Sequence, residues 1–141
     1  MMIAYLILAH KHPKQLKKLV SVLAIGDCHF FIHIDKKSDF SLFENEIKSL
    51  GLHNVEFIEQ NNVQWASISQ TEARIRLIEA ALGGEQTYSH LVMLSGQTYP
   101  IRPVNDFLDF LQSNSDTTFM EHFPLPYNGI ANGGLDRTEC Y

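Results

Sequence analysis

The run Leu91-Val92-Met93-Leu94 breaks into the polar turn Ser95-Gly96-Gln97-Thr98 and then into Tyr99-Pro100-Ile101. Four consecutive apolar residues suit a strand covered on both faces, and Gly96 can take positive φ or let a ligand come close to the backbone. Loops at strand ends are where open α/β sheets bind ligands. Four further constellations fall at expected strand ends. His10-Lys11-His12 can meet a phosphate or a sugar, or bring two imidazoles to a metal, although no third ligand stands at a recognisable spacing. A polar loop leading into a helix is the competing reading. In His33-Ile34-Asp35-Lys36-Lys37-Ser38, alternation points His33 and Asp35 to one side, where a carboxylate can accept hydrogen bonds from a ribose or a uracil-type imide. Lys36 or Lys37 can balance phosphate charge; alternatively Asp35 opens a turn and the lysines are solvated. Val63-Gln64-Trp65-Ala66-Ser67 holds the single tryptophan just before a helix, where it can stack on a base or serve as core packing, with packing the leading reading. Phe119-Met120-Glu121-His122 projects an acid and an imidazole that can bind a hydroxylated acceptor or move a proton, or form a surface pair.

These residues need strands to carry them, and apolar runs do alternate with helical periodicity. Residues 3–8 read as a strand, after which Leu16, Leu19, Val20 and Leu23 fall at i, i+3, i+4 and i+7, with Pro13 in the first turn and Gly26 as the stop. Residues 30–34 form the second strand; Ser38 or Asp39 caps a helix that presents Phe43, Ile47 and Leu50 before Gly51. A third strand covers 55–58. Ser67 or Ser69 caps the longest helix, which runs through Ile75, Ile78 and Leu82 to Gly83-Gly84. The fourth strand covers 91–94, and Pro103 suits the first turn of a helix carrying Val104, Phe107, Leu108 and Leu111. Residues 118–120 read as a fifth strand. This alternation predicts a largely parallel sheet flanked by helices.

At 141 residues the chain is one domain by length, and its net charge of -5 argues against a general nucleic-acid binder. It leaves room for one small phosphate-bearing ligand. The apolar start is too short for a membrane span, and it lacks the basic leader of a signal peptide, so a cytoplasmic protein is expected. The two cysteines, Cys28 and Cys140, have neither disulfide-framework nor zinc spacing. From 123 to 134 the sequence is loop-like, and the remainder stops without an evident finishing element.

The order Ala4-Tyr5-Leu6-Ile7-Leu8-Ala9-His10, His33-Ile34-Asp35-Lys36-Lys37-Ser38, Val63-Gln64-Trp65-Ala66-Ser67, Leu94 through Ile101, and Phe119-Met120-Glu121 resembles the branching glycosyltransferase family. That family contains the core-2/I-branching N-acetylglucosaminyltransferases and the peptide O-xylosyltransferases. The likeness is collinear and includes Gly133-Gly134-Leu135-Asp136-Arg137.

The resemblance implies an α/β fold of the glycosyltransferase A type that binds a UDP-sugar and transfers the sugar, N-acetylglucosamine or a related one, to a glycan or polysaccharide acceptor with inversion. On matching positions, Asp35 contacts the uridine, Trp65 stands beside the base, and Ser95-Gly96-Gln97 lies near the sugar and diphosphate; His10 and His33 join the donor side. Glu121 and Arg137 fall on the acceptor side. Thr98 stands where many relatives carry an acid, a departure that touches local substrate contacts. No Asp-X-Asp occurs in the sequence, which fits a metal-independent enzyme without a cofactor. The resemblance puts the base and the main diphosphate-binding cations beyond Tyr141, so no catalytic residue is assigned. Residues 1–141 are thus expected to be the N-terminal nucleotide-sugar-binding portion of a truncated domain. Without the Golgi anchor of the animal enzymes, the chain looks like a bacterial cytoplasmic relative making surface polysaccharide, peripheral at most to the inner face of the membrane. The alternative is a nucleotide-sugar-binding module or inactive fragment without turnover. A phosphate-accepting signalling domain is disfavoured because the acids are not clustered.

Overall fold

The computed structural model describes residues 1–137, the last of them by its backbone alone. Along the chain run β1 (Ile3–Ala9), α1 (Pro13–Leu23), β2 (Cys28–Ile34), α2 (Phe40–Lys48), β3 (Val55–Phe57), α3 (Ile68–Leu82), β4 (His90–Ser95) and α4 (Val104–Gln112), followed by a kinked 3-10 segment, Ala131–Arg137. The strands form one sheet in the order β3-β2-β1-β4, and every pairing is parallel. This is the expected α/β architecture, consistent with the A-type glycosyltransferase fold. Connections run outward from β1 to β3, then α3 carries the chain back across to β4. The order therefore reverses between β1 and β4, and the carboxyl ends of those strands open a crevice.

Alternation in the strands divides the core. Ile3, Tyr5, Ile7, Phe30, Ile32 and Ile34 face α1, α2 and α4, while Ala4, Leu6 and Phe31 face α3. Asp39 caps α2, its carboxylate accepting from the Ser41 amide at 3.1 Å. Gly51 follows at φ 65°, a left-handed position that closes the helix.

Four expectations need correction. β4 pairs only with β1 among the described residues and is half-exposed, with Met93 38% accessible, so it is an edge strand and not one covered on both faces. An apolar run cannot by itself distinguish those two cases. Residues 118–120 form no strand; Phe119 instead packs on Phe110 of α4, ring centroids 4.9 Å apart. The buried stripe of α3 is Ala73, Leu77 and Ala81, whereas Ile75 and Leu82 are exposed. The small Ala73 and Ala81, at i and i+8 on either side of Leu77, let this helix lie close on the sheet, a closeness that larger side chains there would prevent. Finally, Pro103 is the residue before α4 and not part of its first turn.

Candidate active-site crevice

A cavity of about 350 Å³ lies over the crevice, on the α3 side of the sheet. β1 contributes Leu8 and Ala9 with His10 just beyond it; the turn after β2 contributes Asp35 and Lys37; β4 contributes Met93, Leu94 and Ser95. Val63 and Trp65 come from the β3–α3 connection, and Gln70 and Arg74 from α3. Four residues expected on the donor side, His10, Asp35, Trp65 and Ser95, are thus brought together. Gln70, Arg74 and Met93 were not foreseen as site residues. The spacing of Gln70 and Arg74, one helical turn apart after Trp65, is the signal that could have found them.

Asp35 is only 6% accessible, yet it opens into the cavity. One carboxylate oxygen accepts from the Lys37 amide at 2.9 Å, and the other lies 3.5 Å from the Lys37 ammonium. That ammonium also donates to the Val63 carbonyl at 2.6 Å, joining the turn after β2 to the loop that carries Trp65. Ser38 donates its hydroxyl to the His10 carbonyl at 2.6 Å and ties down the loop after β1. The turn reading of Asp35 and its placement at a site are therefore compatible: the turn uses some lone pairs of the carboxylate and leaves its charge at the cavity wall.

Trp65 is 90% accessible, which overturns core packing as its role. Its turn is built locally. Ala66 sits at φ 58°, strained for a residue with a Cβ, and the Gln64 amide donates to the Ser69 hydroxyl at 2.9 Å. Ser67 caps α3 by accepting from the Ser69 amide at 3.3 Å. The indole is left as an open aromatic face at the cavity rim.

His33 shares the Asp35 side of β2 as expected, but its ring is fully buried and does not line the cavity. Nε2 lies 2.5 Å from Asn61 Oδ1 and 3.2 Å from the Asn61 amide, and Nδ1 has no hydrogen-bond partner among the described residues. Burial pushes the imidazole pKa down from 6.5, opposed by the Asn61 hydrogen bond and by Asp35. The Asn61 carbonyl also accepts from the Lys36 amide at 3.1 Å. His33 therefore supports the loop from beneath, and direct contact with a ligand in the cavity would require it to leave the interior.

The Ser95-Gly96-Gln97 turn divides likewise. Ser95 lines the cavity, while the exposed Gln97 does not. Gly96 is buried without a positive φ; a Cβ there would lie 2.6 Å from the Ala9 Cβ, so its lack of a side chain accommodates β1 and not a ligand. Its amide donates to the Leu8 carbonyl at 2.9 Å. His10 and His12 diverge, His12 lining a separate groove between α1 and α2, so the two imidazoles do not converge on a metal. Glu121 is exposed and does not line the cavity. The Arg137 side chain, Cys140 and Tyr141 lie outside the described residues.

An apolar floor of Leu8 and Met93, an aromatic rim, a carboxylate and a guanidinium suit a ligand with a planar ring, hydrogen-bond donors and negative charge. Among the described residues no group of three or more His, Cys, Asp or Glu could hold a metal ion, and no helix is long and apolar enough to cross a membrane.

The family described as Core-2/I-Branching enzyme matches residues 3–138. The chain is similar to Xylosyltransferase 2 of Rattus norvegicus, 30% identical over 146 residues, and to Xylosyltransferase 2 of Homo sapiens, 29% identical over 144. It is also 26% identical over 143 residues to Xylosyltransferase of Ciona intestinalis. Each alignment takes in 98% of this chain and 17% of the relative, so the chain spans about one sixth of the length of the curated relatives it matches. These relatives come from animals and lend no support to the bacterial setting expected from the sequence.

Proposed function

The chain belongs to the Core-2/I-branching enzyme family, and from that membership we propose that it is the nucleotide-sugar-binding portion of an inverting glycosyltransferase. The donor is a UDP-sugar and the acceptor a glycan. The observation that carries this reading is the convergence of Asp35, Trp65 and Ser95 on one cavity at the sheet's reversal point. Trp65 stacks on the base, Asp35 accepts hydrogen bonds from the nucleoside, and Ser95 lies toward the transferred sugar. N-acetylglucosamine remains the expected sugar, with xylose beside it because the relatives carry that sugar in their names. Donor binding is metal-independent in this reading, since basic side chains supply the charge that an Asp-X-Asp site would otherwise supply through a metal.

Titration calorimetry tests the assignment. UDP should bind more tightly than ADP, with the same affinity in EDTA as in magnesium or manganese. Asp35→Ala should weaken UDP by about 1–3 kcal/mol, the cost of leaving buried hydrogen bonds unmade. Equal affinity for UDP and ADP removes the uridine assignment, and a requirement for added metal removes metal independence.

A second reading is a nucleotide-sugar-binding module without turnover. One observation favours it: the one carboxylate lining the cavity is already held within its own turn by the Lys37 amide and ammonium.

A further inference from the structure

The geometry points to Arg74 as the residue through which this chain itself holds the anionic end of its ligand, an assignment that rests on the nucleotide reading above. Three cationic or potentially cationic side chains line the cavity: His10, Lys37 and Arg74. Lys37 is committed, its ammonium lying 3.5 Å from Asp35 and donating to the Val63 carbonyl at 2.6 Å. Its charge offsets that of Asp35, so the pair adds little net field inside the cavity. Arg74 has no ion-pair or hydrogen-bond partner among the described residues, although Arg76, two positions on, pairs with Glu59 at 3.6 Å.

Its placement is set by the fold. Ala73, Leu77 and Ala81 fix the rotation of α3 against the sheet, and that rotation turns Gln70 and Arg74 together toward the cavity. An unpaired, solvent-exposed arginine among the residues lining the cavity, in a chain whose net charge is -5, is a localised positive site. A planar fork of N–H donors matches two oxygens of a phosphate, and the weak hydration of guanidinium lowers the cost of bringing it against a ligand. Asp35 and Arg74 then divide the ligand: hydrogen-bond donors of the nucleoside go to the carboxylate, and phosphate oxygens go to the guanidinium.

The test compares UDP with uridine in calorimetric titrations of the wild-type chain, Arg74→Gln and Arg74→Lys, each confirmed as folded by circular dichroism. Arg74→Gln should weaken UDP about tenfold while uridine changes less than about twofold, as expected for loss of a charge-assisted hydrogen bond. Arg74→Lys should recover part of the loss, and raising the salt concentration should erode the wild-type preference for UDP over uridine. Unchanged UDP affinity in Arg74→Gln overturns the assignment, as does an equal loss for UDP and uridine. Failure of the uridine reading is distinguishable: UDP and ADP would then bind alike in the wild type, yet both would weaken in Arg74→Gln. A wild-type chain that binds neither nucleotide overturns both.

Discussion

His33 lies on the ligand-facing side of β2, yet its ring is buried against Asn61 and acts on the site only through the loop above it. The neutral ring is the form this environment favours, because burial penalises the charged imidazolium. The charged groups around it are Asp35, which favours the proton, and Arg76, which opposes it; burial outweighs both and holds the pKa below 6.5. Because the native value is lowered, the unfolded chain takes up a proton that the folded chain refuses. This contribution to stability is full above about 6.5 and is lost as pH falls through the lowered native value. Urea midpoints should therefore drop between pH 7.5 and pH 5.5. Trp65 is the single tryptophan, so its emission reports the supported loop and should shift over the same range. His33→Gln should flatten both responses. An unchanged pH dependence in that folded variant would place the sensitivity in another of the seven histidines.

At the scale of elements, the distance between β1 and β4 at the crevice is set by Gly96. A methyl group at 2.6 Å from the Ala9 Cβ and 3.3 Å from the Ala9 Cα cannot be accommodated by rotating a side chain, since alanine has none to rotate. Gly96→Ala should therefore move the backbone of one strand, at a cost of about 1–3 kcal/mol, the usual scale for overpacking. The unfolding midpoint in urea measures that cost. Ala9 and Ser95 both line the cavity, so UDP affinity should fall in the same variant. Adding Ala9→Gly should restore much of the stability by removing the opposing methyl. If the double variant is no more stable than Gly96→Ala, the close contact is not the cause.

Over the whole molecule, the chain-order reversal gathers side chains from five separate segments, but it gathers one carboxylate only, and Asp35 already holds Lys37. Glu121 stands outside the cavity. The chain by itself should thus bind UDP without transferring sugar, as followed by UDP release from UDP-N-acetylglucosamine and UDP-xylose in the presence of glycan acceptors. Inversion needs a base at the acceptor hydroxyl and positive charge on the departing UDP, and a site short of either loses at least about a hundredfold in rate. Robust turnover that disappears in a folded Glu121→Gln variant would instead make Glu121 the base.

The sequence by itself determined the parallel α/β alternation, because strand and helix periods and their glycine stops are local patterns: Leu16, Leu19, Val20 and Leu23 face the core as their spacing requires. It also determined that His10, Asp35, Trp65 and Ser95 end up at strand ends or in the connections beyond them, since each follows or precedes an apolar or periodic run. Only the tertiary structure decided the rest. Which strand lies at an edge depends on partners distant in sequence, and so β4 is half-exposed despite its four apolar residues. Which face of α3 is buried depends on how near the sheet it packs, a contest that Ala73 and Ala81 win by being small. That same rotation turns Arg74 to the cavity, while the depth of β2 in the sheet takes His33 away from it. These outcomes are fixed by steric contact between elements, and local pattern carries no record of such contact.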